Sequence, residues 1–180
     1  MTYITSLTTD QADTATASTL NTVKAKIGMI PNLYATLARS PVALNALLGL
    51  NATIATGTLS GTEREIIALA TAQANGCQYC VSAHTLLGKN AGLNPEQIIG
   101  ARRATATEGR HAAVAGFARA LVEHRGHVPT AALDQFKANG LSDADFLEII
   151  ANVAASMLTN FTNNVAGTVI DFPVVALELV

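Results

Sequence analysis

The chain has 180 residues, of which 49% are apolar and only 13% are charged, with no Trp and a net charge of −2. It has no Lys/Arg run, so its composition argues against nucleic-acid and acidic-membrane partners. No apolar run reaches membrane-spanning length, and the first residues lack a secretory signal pattern, so we expect a cytoplasmic protein. With so few charged residues, part of a monomer's surface would lack charged side chains. Burial of that surface between copies of the chain is favourable, so we expect a homo-oligomer.

Helix signals follow one another along the chain, and no alternating strand pattern of any length appears. In chain order, we predict helices in residues 10–27, in MIPNLYATLARS after Pro31, in SPVALNALLGLNATIATG, after the capping-box pair Ser60 and Glu63, from near Cys77, after Asn94 and Pro95, in RHAAVAGFARALVEHRG, and from Ser142 to near Gly167. The sequence therefore predicts an all-α fold of about seven or eight helices in a single domain, residues 1–180.

Two stretches of the chain resemble each other. LSGTEREIIA begins at Leu59 and LSDADFLEIIA begins at Leu141, with one inserted residue. The same offset pairs Glu65 with Glu148, Cys77 with Asn160, Cys80 with Asn163, and His84 with Gly167. Two related helical halves, of which only one kept its chemistry, would explain this pattern. Chance similarity between two Ala/Ile-rich amphipathic helices is the alternative.

The segment NGCQYCVSAH, residues 75–84, holds both cysteines of the chain and one of its four histidines. This spacing is compatible with a metal site, a structural disulfide or a redox pair. In a reducing cytoplasm, a close cysteine pair is more often catalytic or metal-binding than structural. On a helix that starts near Cys77, the side chains of Cys77, Cys80 and His84 share one face.

The same geometry disfavours a structural zinc site. Seven residues rise about 10.5 Å along a helix, whereas zinc–ligand bonds measure only about 2.0–2.3 Å. Cys77 and His84 could reach one ion only if the helix broke between them, and no Pro or Gly lies there. A fourth ligand is also missing, since His111, His124 and His127 follow no ligand pattern. We therefore expect neither a metal nor another cofactor.

A redox pair fits the pattern better. The start of a helix offers free N–H groups and a positive dipole end, both of which stabilise a thiolate. His84 lies one turn beyond Cys80 and can take its proton, whereas Cys77 is expected to be the more exposed of the two cysteines. A second cysteine one turn away can close a disulfide before the oxidised sulfur reaches irreversible acids.

At these residues the sequence resembles the alkylhydroperoxidase D-like proteins of the carboxymuconolactone decarboxylase superfamily, in their peroxidase-related branch. Their pattern is a Glu, eleven residues, and then Cys-x-Tyr-Cys-x-x-x-His. All five positions match, at Glu65, Cys77, Tyr79, Cys80 and His84. The resemblance is good over residues 41–104 and looser over the rest of the chain. The decarboxylases of the superfamily lack the cysteine pair, which argues against lactone decarboxylation.

The resemblance implies a thiol-dependent peroxidase with an all-helical subunit that forms homotrimers or homohexamers. It implies that Cys80 attacks a hydroperoxide, that Cys77 resolves the product, and that His84 and Glu65 relay the proton with Tyr79 assisting. It also implies a dithiol electron donor, such as dihydrolipoamide on a carrier protein. A general disulfide reductase, or a redox-sensing interaction protein with a passive disulfide, remains the alternative.

The polar residues Asn160, Asn163 and Asn164 stand out in an otherwise apolar predicted helix. They either cap or cross-link helices, or they line the pocket. We favour the structural interpretation.

Overall fold

The computed structural model describes residues 1–105 and 109–179, and these residues contain helices but no strand. The helices described are α1 (Thr14–Ile27), α2 (Asn32–Leu37), α3 (Pro41–Ile54), α4 (Gly61–Ala74), α5 (Gln78–Asn90), α6 (Pro95–Arg103), α7 (Gly109–Glu123), α8 (Thr130–Ala138) and α9 (Asp143–Ala166). The predicted all-α fold is confirmed, and the helix count is close to the expected one.

Helix α4 lies at the centre of the fold and packs against α5, α6, α7 and α9. Its large apolar side chains, Ile66, Ile67 and Leu69, are buried, and so are the alanines between them. Because alanine side chains are short, neighbouring helices can approach α4 on several sides. The end of α4 is therefore held in place, and so is the turn that leads from it to Cys77.

The N-termini of α4 and α9 have the same cap. Ser60 Oγ accepts from the N–H of Glu63, and the Glu63 carboxylate accepts from the N–H of Ser60. Ser142 and Asp145 repeat this reciprocal pair at the start of α9. The two stretches that resemble each other in sequence therefore begin two helices that pack together and are capped alike.

The segment after α9 returns across α5. The N–H of Val175 donates to Ser82 Oγ at 3.0 Å, and the buried Arg102 donates to the carbonyl of Ala176 at 2.6 Å. Helix α5 thus lies between α4, α9 and this segment. None of the helices in the described part of the chain combines the length and the apolarity needed to cross a bilayer.

Candidate functional site

A tight turn places the cysteine motif at the start of α5. Gly76 adopts a left-handed conformation, with a φ of 60°, which glycine adopts without steric cost. Helix α5 begins at the next residue but one, so Cys77 becomes its N-cap. Cys77 Sγ accepts from the N–H of Cys80 at 3.2 Å. The predicted helix start is confirmed, and both sulfurs lie at the positive end of the helix dipole.

Cys77 and Cys80 are joined by a disulfide, with their Cα atoms 5.3 Å apart. The expectation that Cys77 would be the more exposed cysteine is wrong, since Cys77 is 0% exposed and Cys80 is 2% exposed. The turn at Gly76 folds Cys77 inward, and its N–H bonds back to the carbonyl of Ala72. Only Cys80 lines the pocket described below.

His84 and Glu65 form a pair between α5 and α4. Nδ1 of His84 lies 2.8 Å from Oε2 of Glu65, and both side chains are partly buried. An ionised carboxylate can only accept, so Nδ1 carries the hydrogen, and Nε2 keeps its lone pair for another partner. The Glu nearby in sequence, Glu63, is occupied in the helix cap, which leaves Glu65 to orient His84.

A pocket of about 330 Å³ opens beside these residues. Its walls are mainly apolar, and Cys80, His84 and Glu65 lie together in its lining. The other lining residues are Ile27, Pro31, Leu33, Tyr34, Asn51, Ile54, Arg64, Ala68, Tyr79, Ala83, Leu87, Asn152, Ala155, Ser156, Thr159, Asn163 and Phe172. A small organic molecule fits such a volume with its reactive group at the sulfur.

Tyr79 is held in the wall of this pocket. Its hydroxyl accepts from the N–H of Leu33 at 3.1 Å, and its ring meets Phe172 edge to face. Burial, together with the nearby Asp171 carboxylate, raises the pKa of Tyr79 well above its usual value. The phenol therefore stays protonated at neutral pH and can donate a hydrogen bond, but it cannot serve as a base.

The asparagines of α9 divide into two groups. Asn160 Oδ1 accepts from Asn75 Nδ2 at 2.9 Å, and Asn164 Nδ2 donates to the carbonyl of Asn75 at 3.1 Å, so these two tie α9 to the end of α4. Asn163 instead reaches Cys80, with its Nδ2 3.3 Å from Sγ, and lines the pocket. For Asn163 the structural interpretation was wrong. The sequence feature that could have pointed to Asn163 was the internal similarity, which pairs Asn163 with Cys80.

The remaining histidines have no part in this site. His111 lies near the start of α7, and His124 and His127 are exposed beyond its end. Within residues 1–105 and 109–179, no three His, Cys, Asp or Glu side chains are grouped so that they could hold a metal ion.

The model of the carboxymuconolactone decarboxylase family matches residues 41–124, which include the Cys77–Cys80 pair, His84 and Glu65. Residues 41–124 are thus similar to the carboxymuconolactone decarboxylase family. No curated protein matches the chain significantly. The family assignment agrees with the relationship inferred from the cysteine motif.

Solved structures also resemble the chain along most of its length. The alkylhydroperoxidase AhpD core of an uncharacterized peroxidase-related protein from Ralstonia eutropha JMP134 is 26% identical, with a TM-score of 0.81. The match covers 91% of this chain and 89% of that one. It supports the predicted alkylhydroperoxidase D-like branch.

Two further structures share the fold at lower identity. A peroxidase-related protein from Silicibacter sp. TM1040 is 22% identical, with a TM-score of 0.78, over 93% of this chain and 92% of that one. A variant of the debrominase Bmp8, in complex with 2,3,4-tribromopyrrole, is 21% identical, with a TM-score of 0.79, over 95% and 92% of the two chains. Proteins named for different chemistries thus share this fold.

Proposed function

We propose that this protein is a thiol-dependent peroxidase that reduces hydroperoxides through Cys80 and Cys77. One observation carries the proposal. Cys80, the disulfide partner of Cys77, lines the same pocket as the hydrogen-bonded pair of His84 and Glu65. A redox-active sulfur, an oriented base and space for a substrate are therefore adjacent.

In the proposed reaction, His84 takes the proton of the Cys80 thiol. The thiolate attacks the distal oxygen of the hydroperoxide, the O–O bond breaks, and the alkoxide leaves with the electron pair. The alkoxide takes the proton from His84 and departs as an alcohol, while Cys80 becomes a sulfenic acid. The Cys77 thiol then condenses with this acid, which releases water and forms the disulfide.

Glu65 keeps His84 ready for both proton transfers. Its carboxylate accepts from Nδ1–H, which fixes the orientation of the ring and leaves Nε2 to take up and return the proton. Tyr79 assists from the pocket wall as a hydrogen-bond donor.

An external dithiol closes the cycle. Its thiolate attacks the disulfide to give a mixed disulfide, and its second thiol then releases the reduced protein. A lipoylated carrier protein is the proposed donor, because the alkylhydroperoxidase D-like proteins that the motif resembles imply such a dithiol. We also propose that residues 1–180 act as one domain, in a cytoplasmic homo-oligomer with three or six copies.

The replacement His84→Ala tests the proposal. Peroxide consumption by the purified protein is measured with a panel of dithiol reductants. Loss of a general base should slow the reaction by roughly 10²–10⁴-fold. His127→Ala, which removes an exposed histidine outside the pocket, serves as the matched control and should leave the rate unchanged.

A passive disulfide needs no base. An unchanged rate of oxidation in the His84→Ala protein would therefore contradict the peroxidase mechanism and favour a redox clip. If the wild-type protein consumes no peroxide but reduces small disulfides with the same donors, the general disulfide reductase is the correct assignment.

A further inference from the structure

Asn163 contacts the Cys80 sulfur and, like His84, lines the pocket beside it. It lies on α9, and its amide Nδ2 is 3.3 Å from Cys80 Sγ. The residue is 4% exposed, so the amide is held among protein atoms and cannot turn to bulk water. The opposite orientation would set Oδ1 against the sulfur lone pairs, so the N–H group faces the sulfur.

The other end of the same amide has no partner. Oδ1 of Asn163 is buried and accepts no hydrogen bond from any described residue. An unpaired buried acceptor is costly, and a catalytic role or a bound molecule is one explanation for such a group. Asn163 lines the substrate pocket, so its free acceptor is available to a molecule bound beside Cys80.

We propose that Asn163 is a catalytic residue with two roles: its Nδ2–H stabilises the Cys80 thiolate, and its Oδ1 accepts a hydrogen bond from the O–H of the bound hydroperoxide. The disulfide sulfur in this structure occupies the place of that thiolate. The charged sulfur is a much stronger acceptor, so the contact strengthens on reduction. The second role rests on the proposed peroxidase function, and the first does not.

The geometry of attack explains the second role. The distal oxygen of ROOH carries the hydrogen and is the atom that bonds to sulfur. An acceptor beside Cys80 turns that O–H toward α9 and so directs the oxygen at the thiolate. The hydrogen stays on this oxygen throughout the reaction. The O–H group becomes the hydroxyl of the sulfenic acid.

The test uses the full-length chain with Cys77→Ser, so that Cys80 is the only thiol. Serine is a good N-cap and preserves the start of α5. Asn163→Ala removes both roles, while the near-isosteric Asn163→Asp keeps an acceptor and loses the donor. Asn164→Ala changes the neighbouring exposed amide, which bonds to Asn75 and not to Cys80, and is the matched control. Circular dichroism checks that each variant is folded.

Three measurements separate the roles: the thiol pKa from thiolate absorbance, alkylation by iodoacetamide, and oxidation by tert-butyl hydroperoxide. Loss of a hydrogen bond to a charged group should raise the Cys80 pKa by about one to two in Asn163→Ala, and further in Asn163→Asp. Alkylation at pH 7 should fall by up to roughly 10–100-fold and recover at a pH above the new pKa. Iodoacetamide has no peroxide O–H and needs no acceptor at Asn163. Above the new pKa, Asn163→Ala should therefore be alkylated at the parent rate but still react slowly with hydroperoxide.

Each outcome decides one role. An unchanged thiol pKa in both Asn163 variants overturns the first, and equal recovery of alkylation and peroxide oxidation at high pH overturns the second. If the parent Cys77→Ser protein does not react with hydroperoxide, the proposed peroxidase function fails and the second role with it. The pKa and alkylation measurements still decide the first role in that case.

Discussion

At the residue scale, Cys77 and Cys80 differ in their surroundings although both are buried. Cys77 caps α5 and accepts from the N–H of Cys80, away from the pocket. Cys80 lines the pocket, lies one helical turn from His84, and contacts Asn163. Cys80 therefore has a histidine one turn away, a side-chain hydrogen-bond donor and a pocket beside it. They support Cys80 as the attacking sulfur and Cys77 as the resolving one.

This assignment predicts opposite behaviour of two serine variants. Cys80→Ser should not react with hydroperoxide at all. Cys77→Ser should react once and stop at a sulfenic acid on Cys80, because no internal thiol can condense with it. Mass spectrometry after one equivalent of peroxide, with and without a sulfenic-acid trap, measures both outcomes. Catalytic turnover with a dithiol should also fall sharply in Cys77→Ser.

The reversed order of attack has a distinct signature. A trapped sulfenic acid on Cys77 in the Cys80→Ser protein, with none on Cys80 in the other variant, would show that Cys77 attacks. Excess peroxide provides an internal check, because an unresolved sulfenic acid on Cys80 should advance to the sulfinic acid.

The sequence pointed to Cys77, Tyr79, Cys80 and His84 because they lie within eight residues at the start of one helix, and the family pattern added Glu65 on the preceding helix. The contact of Asn163 with Cys80 spans 83 positions. No local pattern reports such a contact, since it depends on how α9 packs against α5.

At the element scale, Arg110 ties together the N-termini of α4 and α9. From the first turn of α7, it donates to Glu63 at 2.6 Å and to Asp145 at 2.6 Å, and it also reaches the carbonyl of Gly140. Hydrogen bonds from Arg110 and Ser142 hold the pKa of Asp145 well below its usual range, against the effect of burial. For Glu63, burial is outweighed by hydrogen bonds from Ser60 and Arg110, which lower the pKa.

Replacing Arg110 with Met should therefore destabilise the fold in a pH-dependent way. Two buried carboxylates would lose their common partner, at a cost of about 2–3 kcal/mol, because Arg110 is itself partly exposed. Both carboxyl groups have lowered pKa values in the folded chain, so their stabilisation is complete above their ordinary pKa values of 3.8 and 4.5. It is lost as the pH falls below them. Denaturant unfolding should show the largest gap from wild type near pH 7 and a smaller gap at pH 3.

Arg119→Met is the control for this experiment. Arg119 lies on the same helix, pairs with Glu123 and donates to the carbonyl of Arg103, and the Arg119 and Glu123 side chains are both exposed. Exposed contacts of this kind contribute about 1 kcal/mol or less in total. A loss in Arg119→Met as large as in Arg110→Met, or a gap for Arg110→Met that is the same at pH 3 and pH 7, would contradict the role given to Arg110.

The elements that the sequence predicted are those with strong local signals. The capping box at Ser60 and the Asn94–Pro95 start both coincide with observed helix starts. Helix α8 was missed because it has no side-chain cap at Pro129, and its apolar side is short, with Leu133 and Phe136 only partly buried. Its position depends on packing against α7.

At the scale of the whole molecule, the fold does not select one reaction. A debrominase and two peroxidase-related proteins share it with this chain. Function must therefore be argued from the pocket. The chain has all five residues to which the proposed peroxidase mechanism gives a role: Glu65, Cys77, Tyr79, Cys80 and His84.

The outer face of α9 carries apolar side chains that the subunit does not cover. Leu147, Phe161 and Val165 are each more than half exposed, and Ile150 is also exposed. At about 100° per residue, the four lie within roughly 60° of one another around the helix. Only 13% of the residues are charged, so the chain has few charges with which to surround this stripe. A second copy of the chain is the occupant that composition favours.

We therefore predict a homo-oligomer, with a hexamer favoured over a trimer, in which the stripe of Leu147, Ile150, Phe161 and Val165 is buried. The double change Leu147→Glu and Val165→Glu places like charges at both ends of the stripe and should shift the protein toward smaller species, because buried unpaired charges are strongly unfavourable. Val42→Glu, at an exposed apolar position on α3, is the control and should leave the assembly intact. Sedimentation velocity at micromolar concentration measures all three proteins. A wild-type monomer would refute the assembly, whereas an oligomer that survives the double change would show that the interface lies on another face.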